Sequence, residues 1–576
     1  MTLYTKWAED GKYKGEKWAY PRPQFHRRNW TCLNGTWEYQ IVKGDADTDP
    51  EKWKKIYVPF AVGTLLSGVQ ETLQPDETLW YRRTFAYDPR KKKVILHFEA
   101  VDQVCTVFLN GMELGSHLGG YSPFAFDVTQ YVKYQNALMV RVTDNTDQGI
   151  FAYGKQSLTP KGIFYHAYAG IWDTVWLEDL PAHAIEDVLI TPDCEGRCVH
   201  MELSGPFHQA KITVTGKDGF RHEGLTQDGH YTIPMCEYHE WSPQDPFLYD
   251  VEIITEDDRV ETYYGMRKFS LAKDDAGHPR FFLNEKPLFL TGVLDQGLTP
   301  DGGYTYASDK GLEEELQAVK NMGFNMIRMH VLQASRRFYH YCDKLGLIVM
   351  QDMPNGGNHF SPWRHSIAPL FLNQRTMDDK EHHKFGRESE HSRKAYIHEL
   401  DEMIVTLYNT VCVGIYVPFN EGWGQFDSSD VTDRIRRLDP SRLIDSASGW
   451  HDMGAGDFNS HHVYFKKFKI PKEDDRAMIL SEFGGYVFQM KNHTESDKAF
   501  GYKKFKDRCD YDRAVDALYE REILPNIEKG LSGCIYTQLT DTETECNGLM
   551  TADRKVIKVD VRRMKKINDK MIRRLK

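Results

Sequence analysis

From about residue 273 to the end of the 576-residue chain, short apolar runs alternate with stretches of helical period. Residues 289–293 read as a strand. Residues 310–321 read as an amphipathic helix through Leu312, Leu316 and Val319, extended by Met322, and 324–330 as the next strand. A helix over 335–345 and a strand over 347–352 follow. Five further strands are expected over 413–418, 442–447, 458–464, 477–482 and 533–539. Strand–helix alternation of this kind marks β/α units with a parallel sheet, and eight strands give a (β/α)8 TIM barrel. Helices after the fifth and sixth strands are short or absent in this reading. The stretches 354–387 and 492–508 are long for connections and leave the carboxyl ends of the third and seventh strands. Both are candidate walls of a cleft.

Active sites of such barrels lie at the carboxyl ends of the strands. Two strands here run into a glutamate. Val413-Gly-Ile-Tyr-Val417 runs into Pro418, which cannot donate to a ladder, and then into Asn420-Glu421-Gly422-Trp423. Ala477-Met-Ile-Leu480 runs into Ser481-Glu482-Phe483-Gly484. Two carboxyls so placed suit cleavage of a glycosidic bond, one protonating the leaving oxygen while the other attacks or supports an oxocarbenium-like carbon. Surface glutamates would show no such shared design.

These two motifs resemble the acid/base and nucleophile strands of glycoside hydrolase family 2, which includes β-galactosidases, β-glucuronidases and β-mannosidases. The resemblance implies Glu421 as acid/base on the fourth strand and Glu482 as nucleophile on the seventh. It implies that Asn420 holds the sugar 2-hydroxyl and that Arg328, ending the second strand, supports the nucleophile. Tyr464, or His462 beside it, ends the sixth strand where the family places a hydrogen-bond partner for the nucleophile. Asp295, His330 and Asp352 end the first three strands, and Gln538 and Asp541 follow the eighth; all five are candidates for sugar hydroxyls. Trp423 and Trp450 offer faces for a pyranose ring, although tryptophans serve as core at least as often. A retaining mechanism requires the carboxyls to stand about 5–5.5 Å apart, with Glu421 protonated and Glu482 ionised at rest.

The region 1–181 reads as an all-β sandwich. Residues 79–85, 93–98 and 138–142 are strands, and Asn110-Gly111 supplies a tight hairpin turn. Trp80-Tyr81-Arg82-Arg83, Val107-Phe-Leu-Asn-Gly111, Gly120-Tyr-Ser-Pro-Phe124 and Gly170-Ile-Trp172 resemble the family's jelly-roll sugar-binding domain. Residues 147–169, rich in aromatics, are a candidate loop lent to the barrel. The region 182–272 is a shorter sandwich with strands at 211–215, 249–254 and 261–264. Its Trp241-Ser-Pro-Gln-Asp-Pro-Phe-Leu-Tyr249 resembles the family's immunoglobulin-like domain, and no chemistry is read there. The catalytic barrel takes 273–576.

Departures from the family pattern bear on the sugar. Gly292-Val-Leu-Asp-Gln296 is not the His/Glu-rich motif of the best-known β-galactosidases, and Asn547-Gly-Leu549 lacks the lysine with which β-glucuronidases read a carboxylate. The expectation is an exo-acting retaining β-glycosidase for a terminal neutral sugar, with galactose first. β-Glucosidase-like specificity and transglycosylation on the same scaffold are alternatives. A β-glucuronidase and a non-catalytic carbohydrate-binding protein stand behind them.

A net charge of −11 argues against a nucleic-acid partner. No segment has transmembrane length and residues 1–10 lack an apolar signal region, so no membrane partner and a cytoplasmic location are expected. Ten cysteines without a close, even spacing read as reduced thiols. Cys194 and Cys198 form a lone C-x-x-x-C with no second pair to complete a zinc site, and His382-His383 and His461-His462 are doublets outside any metal motif. No cofactor or catalytic metal is expected. The partner is a glycoside or oligosaccharide, and homo-oligomerisation is left open.

Overall fold

The computed structural model describes residues 2–575 apart from 16–17, 45, 47, 50, 89–92, 359–376 and 472–473. Most of the expected cleft wall over 354–387 therefore lies outside the described residues.

Two antiparallel sheets form the first sandwich. Six strands, Gly35–Lys43, Lys54–Val58, Glu77–Ala86, Val104–Leu109, Met112–Leu118 and Gln135–Thr143, make one sheet. Trp30–Cys32, Lys93–Phe98, Phe124–Asp127 and Val175–Leu180 make the other. Alternation puts Trp37, Leu79, Tyr81, Val107, Leu138 and Val140 on the inner face of the first sheet, against Val94, Leu96, Phe98, Val175 and Leu177 of the second. Asn110 (φ 54°) and Gly111 (φ 83°) both take the left-handed backbone that a two-residue hairpin turn requires. A smaller sandwich follows. Asp187–Asp193, Cys198–Ser204 and His230–Pro234 face the sheet of Arg221–Thr226, Ala210–Thr215, Tyr249–Ile254 and Arg259–Tyr264 across a separate core. Trp241 ties this module to the barrel, its fully buried indole donating to Asp343 O at 2.8 Å.

The eight barrel strands are β1 (Leu290–Asp295), β2 (Met326–Met329), β3 (Ile348–Asp352), β4 (Val413–Val417), β5 (Leu443–Ile444), β6 (Phe458–Val463), β7 (Ala477–Gly484) and β8 (Leu531–Thr537). All ladders are parallel, in the order β5-β4-β3-β2-β1-β8-β7-β6, so the ring is open only between β5 and β6. The sequence reading gave β5 six residues, and the structure gives it two. The Ile444 N–H is taken at 2.7 Å by the Asp457 carboxylate, and the Asp457 N–H returns to Ile444 O at 2.7 Å. A side chain thus occupies the place of a neighbouring strand.

Helices α1 (Asp309–Asn321), α2 (Arg336–Leu345), α3 (Glu390–Leu407), α4 (Ser428–Leu438), α5 (Arg508–Leu518) and α6 (Val561–Arg574) follow β1, β2, β3, β4, β7 and β8. Among the described residues no helix follows β5 or β6. Ser308 caps α1 by accepting from Gly311 N, and Gly346 (φ 71°) ends α2 in the left-handed conformation. The loop 147–169 of the first sandwich docks on the barrel mouth. Tyr153 and Gly154 N–H donate to Asn355 O at 2.8 and 2.9 Å, and Ala152 N–H to the Glu399 carboxylate at 3.1 Å.

Candidate active site

β4 ends at Val417, and Pro418 enforces the stop. The chain then turns through Glu421 (φ 55°), Gly422 (φ 73°) and Gly424 (φ 66°), all left-handed. Gly424 is required there on a second ground, since a Cβ would stand 1.9 Å from Gly356 O. The Glu421 N–H donates to Ser448 O at 2.9 Å, tying the turn to the chain beyond β5. Glu482 needs no such device because β7 continues past it to Gly484.

Carboxylate oxygens of Glu421 and Glu482 and one nitrogen of His462 all lie within 4.8 Å of one another. Two strand ends separated by 61 residues of sequence meet at one point. His462 joins them: Nδ1 is 2.8 Å from Glu421 Oε1, and Nε2 is 3.4 Å from Glu482 Oε1 and 3.1 Å from Ser448 Oγ. Tyr464 donates its phenol to Glu482 Oε2 and stacks on Tyr502 with ring centroids 3.8 Å apart. Arg328, fully buried, donates to Glu482 Oε1 (3.2 Å), Ser481 O (3.1 Å), Asn420 Oδ1 (2.9 Å) and, through Nε and Nη2, Asp352 (2.9–3.2 Å). Asp352 also meets His330 Nδ1 at 2.8 Å.

The two carboxyls sit in opposed fields. Burial raises the pKa of Glu421, and the Glu482 charge adds to that, against the His462 hydrogen bond. Burial also works on Glu482, but His462, His330, Arg328 and the Tyr464 phenol outweigh it and hold the group at about 2. Burial, with Lys155 next, holds His330 well below the usual imidazole range. One acid pushed toward its protonated form beside one held ionised is the arrangement that divides acid and base work between two like groups.

Of the residues expected at the site, Glu421, Glu482, Asn420, Arg328, His330, Asp352, His462 and Tyr464 form this one network. The amide nitrogen of Asn420 is buried without a partner, the state of a donor awaiting a ligand oxygen. Trp450 stands edge-on to His462 at 5.7 Å and Trp423 tilts against Phe164 at 5.6 Å; both indoles are buried.

Asp295 is a correction. Arg328 is in register with Leu294 and Met329 with Asp295, so Asp295 faces away from the barrel interior that Arg328 enters. It accepts from Gly297 N at 2.9 Å, and burial, then Glu315 of α1, push it to about 7. Asp541 is held by the fully buried Lys558 at 2.7 Å and by Gly548 N at 2.9 Å, and Gln538 accepts from Gln296 at 2.6 Å. Neither has a hydrogen bond to the glutamate network among the described residues.

Four residues at this end of the barrel escaped the sequence reading. Asp445, just past β5, is buried, and burial raises it to about 6 against the pull of Arg328. Tyr502 arrives on the loop after β7. Lys155 lies over the Tyr165 and Trp423 rings, 5.7 and 5.9 Å from their centroids. Glu545 accepts from the Tyr165 phenol. The aromatics of 147–169 were the available signal for the Lys155 group; nothing in the sequence marked Asp445.

Glu421, His462 and Glu482 are close enough to hold a cation. The Arg328 guanidinium on Glu482 opposes a second positive charge there, and the donor set suits proton transfer.

Two family models match the chain: the glycosyl hydrolase 2 galactose-binding domain-like model over residues 28–164, and the glycosyl hydrolases family 2 TIM barrel domain model over residues 277–507. Together they span nearly two thirds of it. A β-galactosidase of Thermoanaerobacter pseudethanolicus is 26% identical over 447 residues, covering 72% of this chain and 55% of its own. A β-glucuronidase of Streptococcus agalactiae is 23% identical over 518 residues, covering 79% and 82%. The chain spans 55% and 59% of the first two curated relatives it matches, the second a putative β-glucuronidase of Formosa agariphila that is 22% identical over 533 residues and covers 83% of this chain. Among solved structures, the β-D-glucuronidase of Dictyoglomus thermophilum superposes with a TM-score of 0.72 at 17% identity, over 96% of this chain and 98% of that one, a likeness of fold.

Proposed function

The chain belongs to glycoside hydrolase family 2, and from that premise we propose that it is an exo-acting β-glycosidase that retains anomeric configuration. The observation that carries this reading is the approach of the Glu421 and Glu482 oxygens to within 4.8 Å, with their pKa values driven apart. That spacing suits direct attack by one carboxylate; an inverting pair stands about 6.5–9.5 Å apart to admit a water. In the proposed cycle, Glu482 attacks the anomeric carbon while Glu421 protonates the departing oxygen. Glu421, its proton spent, then takes one from the water that hydrolyses the glycosyl ester. Arg328 and Tyr464 keep Glu482 ionised and aimed, and the Asn420 amide faces the sugar 2-hydroxyl. His462 couples the two carboxyls.

For the sugar, we place a terminal β-galactoside first. The Asn547-Gly-Leu549 stretch carries no lysine to read a carboxylate, and its Leu549 is buried among apolar neighbours. A second reading, a uronic acid, is favoured by one observation: Lys155 supplies a cation beside Trp423 from a different domain. Aryl β-galactoside, β-glucoside, β-mannoside and β-glucuronide, with product anomers followed by NMR, test both. Glu482→Gln abolishes turnover of whichever is cleaved; full activity in that variant refutes the assignment. Lys155→Ala leaves galactoside turnover within about threefold, whereas loss of a charged contact of about 1.5–3 kcal/mol would mark the uronoside.

A further inference from the structure

Away from the barrel mouth, the second sandwich carries a cluster that the glycosidase chemistry does not use. Strands Asp187–Asp193 and Cys198–Ser204 form a hairpin whose register sets Asp193 directly opposite Cys198. His200 lies two residues beyond Cys198 and so on the same face. A carboxylate oxygen of Asp193, the Cys198 thiol and a ring nitrogen of His200 all lie within 4.8 Å of one another.

We propose that Asp193, Cys198 and His200 bind one divalent cation of borderline softness, Zn²⁺ in the first instance, at the tip of this hairpin. A thiolate, an imidazole and a carboxylate are the donor types that Zn²⁺ takes. The spacing fits as well. Zinc–sulfur and zinc–nitrogen bonds of about 2.3 and 2.0–2.1 Å at a tetrahedral angle put sulfur and nitrogen about 3.5 Å apart. Here Cys198 Sγ and His200 Nε2 are 3.4 Å apart.

The surroundings are those of an oriented site. His200 Nδ1 lies 3.1 Å from Thr232 Oγ1 on the neighbouring strand. A proton on Nδ1 directed at that oxygen leaves the Nε2 lone pair facing the thiol, and an outer hydrogen bond on the other ring nitrogen fixes the orientation of a ligating histidine. Asp193 is held from its other side, Oδ1 accepting from Gly196 N at 2.8 Å. A Cβ at residue 196 would stand 2.3 Å from Asp193 Oδ2, so a glycine there leaves that oxygen room.

Cys194 belongs to a different surface. Its side chain packs against the apolar core of the sandwich. The C-x-x-x-C pattern is therefore not the donor pair; the hairpin register recruits Asp193 and His200 in its place. His200 is exposed and the other two are half-buried, so a fourth position stays open to water. The same strand meets the barrel through Thr191, whose hydroxyl lies 2.9 Å from the Tyr408 phenol. A cation at the hairpin tip would staple the edge of the sandwich that leans on the barrel, a stabilising role and not a catalytic one.

The test is a Co²⁺ titration of the reduced, chelator-stripped full chain, followed by competition with Zn²⁺. One equivalent of Co²⁺ is expected to give a thiolate-to-metal charge-transfer band that Zn²⁺ abolishes. Cys198→Ser should lose the band, His200→Ala should weaken binding at least about tenfold, and Glu482→Gln should keep both. Zn²⁺ should raise the Tm of the wild type and not that of Cys198→Ser, with glycoside turnover equal in the two. A wild type without the band, or a band that survives in Cys198→Ser, overturns the proposal.

Discussion

Neutralising Glu482 should return the raised pKa of Glu421 toward the ordinary carboxyl range. The two carboxylates approach within 4.8 Å, and the Glu482 charge is one of the influences that raise Glu421. At an effective dielectric of about 20, two unit charges about 5 Å apart repel by about 3 kcal/mol, or about 2 pKa units. Glu482→Gln removes that repulsion with almost no change of shape. The sign is fixed: losing a neighbouring negative charge favours the ionised form, so the Glu421 pKa falls. In the proposed cycle, ester formation would neutralise Glu482 in the same way, and the fall would let Glu421 act first as acid and then as base. Carbon-13 NMR of carboxyl-labelled glutamate, with the Glu421 signal identified by its loss in Glu421→Gln, measures the shift directly. A Glu421 titration in Glu482→Gln that stays within about 0.5 unit of wild type, or moves up, refutes the reasoning.

Arg328→Lys keeps a charge but loses the planar fork that reaches Glu482, Asn420 and Asp352 together. A drop in kcat/KM of about 10- to 150-fold is expected, equivalent to one lost charged hydrogen bond of about 1.5–3 kcal/mol, with KM changed less than kcat. Glu399 is buried where α3 meets the first sandwich, and burial raises it to about 8. The folded chain therefore keeps a proton that the unfolded chain releases above its ordinary carboxyl pKa. Stability should fall by about 1.4 kcal/mol per pH unit between the ordinary value and about 8. Urea unfolding across that window should show a slope in Glu399→Gln that is shallower than that of wild type by about 1.4 kcal/mol per pH unit.

Much of this architecture is legible along the chain because its causes are local. Short runs such as Val413–Val417 and Ala477–Leu480 are apolar throughout, as strands covered on both faces tend to be, and helices α1 and α2 begin and end within one residue of where the apolar period puts them. The exception is instructive: β5 is cut to two residues because the Asp457 carboxylate takes a backbone donor, a competition that no periodicity announces.

The chemistry-bearing residues divide along the same line. That Glu421 and Glu482 stand near strand ends follows from sequence, since Pro418 stops one ladder and the apolar run of the other gives way to Ser481-Glu482. That their oxygens meet around His462 follows only from closure of the sheet, which converts strand order into distance. Closure also decides which face of a strand sees the cleft. Asp295 was read as a ligand from its place at a strand end, and the register with β2 turns it outward. Lys155, Tyr502 and Glu545 reach the mouth from distant loops, and the Asp193–Cys198–His200 group forms across a hairpin. Local pattern sets what each segment is, because backbone pairing and burial act over a few residues; only packing over the whole chain sets which side chains share a site, because that requires segments hundreds of residues apart to stop within a few ångströms of each other.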